Sequence, residues 1–279
     1  MREQPTKPSN FMFIETHAHL DFPQFSKDLE AVIQRAIDSG IEKIITVGTN
    51  LQSSRKALSI AERIPAVWAA VGIHPLEAHK RAQPFEKDLS GLLEHPKIVA
   101  IGEIGLDFHK FDPSLSPAEI EEQKKIQQEV FLSQLELAKE AKLNVIIHQR
   151  AAFHETLSLL SPYQGVLRGV FHCFVGTSKE ASLLFSQGHL VSFTGIITFP
   201  NAQALRQTVL EIPLENMMLE TDCPFLAPVP YRGKRSEPSH VRIIADEIAK
   251  IKKISLEEVA FHTTRRASEF FSFQNSKRN

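Results

Sequence analysis

Two histidines near the start of the chain are spaced to face a common ligand. His17 and His19 end a short apolar run, and residues two apart on a strand point to the same side. Histidine is the commonest metal ligand in proteins, so both imidazoles can converge on one ion. A His-x-His pair alone is a weak signal, because histidines also cluster without binding metal. The pair is informative only if other ligands reach the same place.

Four more ligand-type side chains end later apolar runs. Two are carboxylates, Glu103 and Asp222, and two are imidazoles, His148 and His172. In a barrel of parallel strands the carboxyl ends of all strands meet at one rim, where such enzymes build their active sites. Four imidazoles and two carboxylates suit Zn²⁺, Mn²⁺ or Mg²⁺. Six ligands exceed the needs of one tetrahedral ion, and two divalent metal ions with a bridging carboxylate would use them better.

The strands and helices that would position these side chains are predicted to alternate along the sequence. Short runs rich in β-branched residues predict eight strands, and several are continuously apolar, as expected for parallel strands covered on both faces. Amphipathic segments lie between them. The predicted strands are Met12–Thr16, Lys43–Gly48, Val67–Ile73, Ile98–Gly102, Asn144–His148, Gly169–His172, Leu190–Thr194 and Asn216–Glu220.

Three of the amphipathic segments carry a recognisable helix start. Ser116, Thr177 and Ser255 each precede a glutamate by three residues, which is the capping-box pattern of an N-cap hydroxyl and a returning carboxylate. Another segment places four apolar residues on one helical face, at Val241, Ile244, Ala245 and Ile248. These patterns predict helices, and not long loops, between and after the strands.

Eight strands alternating with helices predict an α/β protein, a single (β/α)₈ TIM barrel over residues 1–279 with the metal site at the C-terminal rim of the strands. The length agrees, since such barrels usually have about 250 residues. An open doubly wound sheet is the alternative. No Gly-x-Gly-x-x-Gly and no Walker loop is present, which disfavours nucleotide-binding folds.

Charge and cysteine content exclude several classes of protein. The formal net charge is -1, so nucleic acid binding by bulk positive charge is excluded, and a local basic patch or bound cations must provide it. Cys173 and Cys223 form neither a disulfide framework nor a zinc-finger spacing. The N-terminal residues lack the apolar core of a signal peptide, and no run reaches the ~20 apolar residues of a membrane span. We therefore expect a soluble, cytoplasmic monomer with no membrane contact and no organic cofactor.

The motifs, in their order and spacing, resemble the TatD family of metal-dependent deoxyribonucleases, which belongs to the amidohydrolase-like barrels. The resemblance runs from about Phe13 to Phe271. It departs from the family pattern at Phe108, Ala151 and Arg266, none of which is a candidate ligand. The segments that carry it are THAHLD at 16–21, VGIHP at 71–75, GEIGLD at 102–107, IHQR at 147–150, HCFVG at 172–176, LETDCPFL at 219–226 and YRGKR at 231–235.

The resemblance implies a role for each candidate ligand. It implies one ion held by His17, His19 and Asp222, a second ion held by His148 and His172, and Glu103 as the bridge between them. His74 is then a residue near the substrate phosphate. We expect the seven remaining histidines to be surface or packing residues, with His109 the best exception, and Cys173 to pack in the core.

The function implied is hydrolysis of DNA phosphodiester bonds by a metal-activated water. Two cations stabilise the charge that builds on the phosphoryl oxygens and lower the pKa of a bridging water toward ~7. Glu103 keeps the ions close, and Asp222 can accept the proton of the water. Arg150 or Arg232 would orient the phosphate, and the basic run 232–235 after the last strand is expected to contact it through at least one side chain.

Two alternative functions remain compatible with the sequence. One is another metal-dependent hydrolase that acts on an ester or amide, including the ester of an aminoacyl-tRNA. Relatives that bridge their ions with a modified lysine are disfavoured, because Glu103 takes the bridging place. The other alternative is a metal-dependent binding protein without catalysis, against which the complete ligand set argues.

Overall fold

Eight parallel strands form one sheet in chain order in the computed structural model, which describes residues 11–80, 84–109 and 111–273. A parallel bridge between Ala18 and Cys223 joins the last strand region to the first and nearly closes the sheet into a barrel. The predicted (β/α)₈ barrel is therefore confirmed, and the open doubly wound sheet is not found. The strands are β1 (Phe13–Ala18), β2 (Ile41–Val47), β3 (Val67–Val71), β4 (Ile98–Asp107), β5 (Asn144–Arg150), β6 (Gly169–Phe171), β7 (Leu190–Phe193) and β8 (Met217–Leu219).

Helices connect the strands and pack against them. The predicted N-cap hydroxyls of Ser116, Thr177 and Ser255 each accept the backbone N–H three residues on. Over the residues that the structure describes, no helix is both long and apolar enough to cross a bilayer. The helices in this part of the chain are α1 (Leu29–Asp38), α2 (Leu51–Arg63), α3 (Glu86–Leu93), α4 (Pro117–Ala141), α5 (Phe153–Leu160), α6 (Ser178–Ser186), α7 (Gln203–Glu211), α8 (Val241–Lys252) and α9 (Leu256–Phe271).

The barrel interior is apolar below the rim and polar at the rim. Ile146 of β5, Val170 of β6 and Met218 of β8 belong to one buried cluster inside the barrel. Because side chains alternate along a strand, the inward positions two residues later are His148, His172 and Glu220. On each of these strands the apolar residue points into the barrel, and the residue two positions later points the same way at the rim.

Strand β4 is longer than the sequence predicts. It continues five residues beyond Gly102 to Asp107, so the prediction that it stops before Glu103 was wrong. Its pairing with β5 is interrupted between Ile101 and Ile104 and then resumes. The interruption lets Glu103 sit inside the strand with its N–H on the carbonyl of Gly48, at 3.2 Å. A polar residue between two glycines resembles a loop in sequence, and only the resumed pairing shows a strand.

Gly105 allows β4 and β5 to pair closely beside the site. Its φ is +139°, and a Cβ at this position would lie 2.0 Å from the carbonyl oxygen of His148. An alanine here would have to push β5 away or distort β4. The glycine therefore fixes the position of the His148 backbone.

We expect Gly105→Ala to destabilise the protein by more than about 1 kcal/mol, because alanine is strained at this φ and lacks space. Urea denaturation measures the change. Gly91→Ala is the matched control, since Gly91 lies in α3 with nothing within 4 Å of its added Cβ. It should be neutral or stabilise the helix by up to about 1 kcal/mol. Equal stabilities of the two variants would contradict the role of Gly105.

Candidate metal centre

Three of the predicted ligands meet at the junction of the first and last strands. The Nε2 atoms of His17 and His19 are 3.3 Å apart. Oδ1 of Asp222 lies 3.4 Å from Nε2 of His19 and 3.9 Å from Nε2 of His17. Two ligands at about 2.0–2.1 Å from one tetrahedral Zn²⁺ are themselves about 3.3–3.4 Å apart, so these spacings suit a shared cation. The structure brings these three predicted side chains together.

A second group forms on the other side of Glu103. Oε1 of Glu103 is 2.7 Å from Nδ1 of His148 and 2.7 Å from Nε2 of His172. The two imidazole nitrogens are 3.1 Å apart. The other oxygen, Oε2, lies 3.4 Å from Nε2 of His17 and 3.7 Å from Nε2 of His19. Each oxygen of Glu103 thus faces a different pair of imidazoles.

Two of the imidazoles are oriented by acceptors outside the ligand groups. Nδ1 of His19 is 2.9 Å from the backbone carbonyl of Val47. Nε2 of His148 is 3.2 Å from Oδ2 of Asp107 at the end of β4. When these rings are neutral, both outer nitrogens donate to these oxygens, and the nitrogen that faces the centre keeps its lone pair. This is the usual arrangement of a metal-binding histidine and its supporting acceptor.

A buried carboxylate that the sequence analysis did not single out faces the outer nitrogens of the other two imidazoles. Oε2 of Glu220 lies 3.6 Å from Nδ1 of His17 and 3.6 Å from Nδ1 of His172. Glu220 is fully buried. Its other oxygen accepts the hydroxyl of Ser192 at 2.9 Å and the N–H of Cys173. The signal in the sequence was its inward register on β8, two residues after Met218.

His74 also lies beside Glu103, but the ring nitrogen that faces the carboxylate carries the proton. Its Nε2 is 3.5 Å from Oε1 of Glu103, and its Nδ1 accepts the N–H of Leu76 at 3.1 Å. An accepting Nδ1 places the ring proton on Nε2, so this atom donates a hydrogen bond and has no lone pair for a cation. Burial lowers the pKa of His74, which agrees with a neutral ring. His74 therefore differs chemically from the four other imidazoles.

The buried charges of the site compensate one another. Burial by itself would raise the pKa of the Glu103 carboxyl, but the surrounding imidazoles, first His172, hold it well below its usual value. Burial opposes protonation of His19, yet its hydrogen bond with Asp222 raises the pKa of the imidazole to about 9. An imidazole must be neutral to bind a metal ion. A bound cation would therefore take the place of the imidazole protons and balance the charge of the same carboxylates.

The predicted phosphate-binding cations lie around this rim. Arg150, the last residue of β5, is exposed, and so are Arg232 and Lys234 in the loop after β8. The guanidinium carbon of Arg232 is 4.5 Å from the centroid of the Phe199 ring, in the loop after β7. Arg150 ends β5 and Arg232 follows β8, so both lie on the C-terminal side of the barrel, whereas Lys234 lines a surface pocket with Arg35 and Arg242.

Arg235 behaves differently from the rest of the basic run. Its guanidinium donates to both carboxylate oxygens of Asp28, at 2.8 and 2.7 Å, and to Glu237 at 2.7 Å. Arg35 of α1 donates to the same Glu237 at 2.8 and 2.9 Å. Arg235 therefore clamps the loop after β8 to the start of α1, and the prediction of a phosphate contact now rests on Arg232 and Lys234.

The remaining cysteines and histidines of interest contribute packing. Cys223 is buried and Cys173 is partly buried, with its Sγ 3.7 Å from the hydroxyl of Thr194. Burial raises the pKa of both thiols well above the usual value, so they are protonated. His189 and His240 are also buried. None of these four belongs to a candidate ligand group in the described residues.

The three departures from the family pattern are not candidate ligands. Ala151 follows β5 and has a φ of 54°. Phe108 follows β4, and the ammonium of Lys124 lies 5.4 Å from its ring centroid. Arg266 lies in α9 and donates to the backbone carbonyl of Glu215. None of the three contacts a candidate ligand in the interactions that the structure describes.

A barrel of this kind with imidazoles and carboxylates gathered at the C-terminal rim defines a metal-dependent hydrolase. The sequence profile of the family described as "TatD related DNase" matches residues 14–272. The chain therefore belongs to the TatD family.

Individual relatives agree with this assignment. The "Uncharacterized metal-dependent hydrolase YabD" of Bacillus subtilis is 40% identical over 264 residues, which are 93% of this chain and 99% of the relative. The "3'-5' ssDNA/RNA exonuclease TatD" of Shigella flexneri is 33% identical over 237 residues, 83% of this chain and 88% of the relative. The crystal structure of YjjV, a TatD homologue from Escherichia coli, has a TM-score of 0.85 at 31% identity and covers 93% of this chain and 98% of that one.

We expect Glu220→Gln to weaken metal affinity by about 10–100-fold, the usual effect of losing a supporting carboxylate. The amide cannot offer a charged acceptor to Nδ1 of both His17 and His172. Calorimetric titration of the chelator-treated protein with Mn²⁺ or Zn²⁺ measures the affinity. Glu121→Gln, on the exposed face of α4, is the control and should bind like the wild type. Equal metal affinity of the two variants would show that Glu220 does not contribute to metal binding.

Arg235→Gln should remove the stabilisation that the ion pair between Arg235 and Asp28 gives the folded protein, a contribution that acid also removes. Hydrogen bonding to Arg235 lowers the folded-state pKa of Asp28 to about 2, below the ~3.9 of an unfolded chain. The stabilisation is therefore present above about pH 4 and is lost as the pH falls toward 2. The urea midpoint of the variant should be lower than that of the wild type at about pH 6, with a smaller difference at about pH 3.

The control for this comparison is Arg55→Gln, which removes an exposed ion pair with Asp88 at 3.1 Å. An exposed single pair contributes little, so its midpoint should match the wild type at both pH values. A deficit of Arg235→Gln that stays constant with pH would show that the side chain acts through packing and not through the charge of Asp28. The neighbouring charges in this cluster are those of Arg35 and Glu237.

Proposed function

We propose that the protein is a deoxyribonuclease that hydrolyses phosphodiester bonds at a two-metal site. The observation that carries this proposal is that the two oxygens of Glu103 face two different pairs of imidazoles. A carboxylate shared in this way suits two ions a few Å apart, an arrangement that serves phosphodiester cleavage. The Shigella relative is named as an exonuclease on single-stranded DNA and RNA, which supports a nucleic acid substrate.

The ligand set divides between two divalent ions, Mg²⁺, Mn²⁺ or Zn²⁺. Bound here, such ions would polarise the phosphoryl oxygens and lower the pKa of the attacking water. The orientation of the four imidazoles, each with one nitrogen toward the centre and the other toward an oxygen, supports this use. In the proposal His17, His19 and Asp222 hold one ion, His148 and His172 hold the other, and Glu103 lies between them.

The chain's own side chains then handle the proton and the phosphate. The side chain of Asp222 is 16% exposed, more than the 4% of Glu103, so it can reach water and accept a proton. In the proposal the Nε2–H of His74, which lies 3.5 Å from Oε1 of Glu103, donates to a phosphate oxygen. Arg150 and Arg232 supply positive charge at the rim and orient the phosphate.

The proposal needs no organic cofactor and makes DNA a substrate. With a net charge of -1, the chain lacks a general attraction for polyanions, so affinity must come from the rim itself. The monomeric state and the cytoplasmic location remain predictions from the sequence.

The purified protein should cleave labelled single-stranded DNA in the presence of Mg²⁺, Mn²⁺ or Zn²⁺, and excess EDTA should abolish the cleavage. Readdition of the ion should restore it, because the phosphoryl charge is stabilised only with the cations bound. Aminoacyl-tRNA is incubated in parallel as the alternative ester substrate. Undiminished DNA cleavage in EDTA by a metal-free protein, or deacylation without DNA cleavage, would contradict the proposal.

The two carboxylates at the site should differ in metal retention. Glu103→Gln should lose at least one ion, because a neutral amide is a poor bridge between cations. Asp222→Asn should retain more metal and bind DNA, yet its kcat should fall by about 10²–10⁴, the usual contribution of a positioned general base. Elemental analysis and steady-state kinetics measure the two effects.

Equal and full metal content in the two variants would exclude Glu103 as the bridge. A near-normal kcat of Asp222→Asn at saturating metal would exclude Asp222 from proton transfer. Glu121→Gln again serves as the control for a carboxylate lost from the surface.

A further inference from the structure

Two phenylalanines stand directly beside the first ligand group. The ring of Phe22 stacks on the imidazole of His19, with centroids 4.9 Å apart and planes at 23°. Phe225 meets Phe22 edge to face at 5.8 Å and lies 6.5 Å from the ring of His19. Phe225 is 46% exposed although it is a large apolar side chain. The pair thus continues the site outward as an apolar surface, which we call the aromatic platform (Phe22 and Phe225).

The exposure of Phe225 is imposed by the backbone around it. The N–H of Phe225 donates to the carbonyl of Asp222 at 3.0 Å, so the ring is tied to a candidate ligand three residues away. The next residue, Leu226, is anchored from below, since a Cβ on Gly195 would lie 2.2 Å from its carbonyl oxygen. The backbone is thus held on both sides of Phe225, whose side chain remains exposed.

A cation further along the same loop contacts a third aromatic ring, which belongs to the loop after β7. Arg232 stacks over Phe199 at 4.5 Å, and both Arg232 and Lys234 are exposed. The rim therefore combines flat apolar faces with positive charge in a chain whose net charge is only -1. This combination is what single-stranded nucleic acid needs, because its bases stack on aromatic rings while cations follow its backbone.

We propose that the aromatic platform stacks an unpaired nucleobase next to the phosphate at the metal centre and so selects single-stranded substrates. This inference rests on the function proposed above. In a duplex the bases are already stacked on one another and their faces are covered, whereas a single strand can turn a base onto Phe225. Stacking tolerates any base, because every base has a π-face. The platform therefore provides strand-state selection without sequence selection.

The test compares two strands of equal length, oligo-dT and an oligomer of abasic tetrahydrofuran residues with the same phosphates. Phe225→Ala should raise KM for oligo-dT about 10-fold, within the range of losing one base–aromatic stack. On the abasic strand this fold-change should disappear, since there is no base to stack. Phe225→Leu, which keeps apolar bulk without a π-face, should resemble the alanine variant, and Phe225→Tyr should restore KM.

Phe261→Ala is the matched control, because Phe261 is 59% exposed but lies on α9, far along the chain from the rim loops. Its KM should equal that of the wild type on both strands. Metal content per chain should be unchanged in Phe225→Ala, which separates loss of stacking from damage to the ligands. Circular dichroism reports whether each variant is folded.

The outcomes distinguish this inference from the proposed function. If the wild type cleaves neither strand, the proposed function fails and the platform fails with it. If the wild type cleaves oligo-dT and Phe225→Ala has the KM of Phe261→Ala, only the platform is overturned. An equal rise of KM on the abasic strand, or a dimer in light scattering that Phe225→Ala dissociates, would likewise overturn it and assign the ring to the phosphate path or to self-association.

Discussion

The buried carboxylate of Glu103, enclosed by imidazoles, is the charge around which the rest of the rim is arranged. An unpaired carboxylate at this depth costs several kcal/mol, so every neighbour must bring a proton or a cation. Its two oxygens meet His17 and His19 on one side and His148 and His172 on the other. The barrel has to bring β1, β4, β5 and β6 to one point for this compensation to exist.

The imidazoles in turn depend on a second set of oxygens behind them. The carbonyl of Val47 and the carboxylate of Asp107 orient two rings, and Glu220 faces the other two. The hydrogen bonds to Val47 and Asp107 fix which nitrogen of His19 and of His148 turns to the centre. His74 lacks such an acceptor and instead accepts an N–H, which makes it a donor toward the same place. A single backbone hydrogen bond, from the N–H of Leu76, thus makes His74 a hydrogen-bond donor toward the centre and not a metal ligand.

The sequence by itself was sufficient for the architecture and for the identity of the candidate ligands. The apolar runs predicted eight strands, and the ligand-type side chains that end several of these runs were expected at one rim. The runs and the two-residue spacing of His17 and His19 are local information. The exact end of β4 was not predictable in this way, because Glu103 and its flanking glycines interrupt the apolar pattern while the pairing with β5 resumes beyond them.

Only the tertiary structure decided what each side chain does once the strands meet. Arg235 reads as one member of a basic run, but it pairs with Asp28, 207 residues earlier in the chain. Glu220 reads as a polar residue beside Asp222, but barrel closure places it behind two imidazoles from other strands. The sequence determined the fold and the ligand types because periodicity is local. Which nitrogen of each imidazole carries the proton, that Arg235 is paired, and that the ring of Phe225 is exposed all depend on contacts between distant segments. No local pattern encodes such contacts.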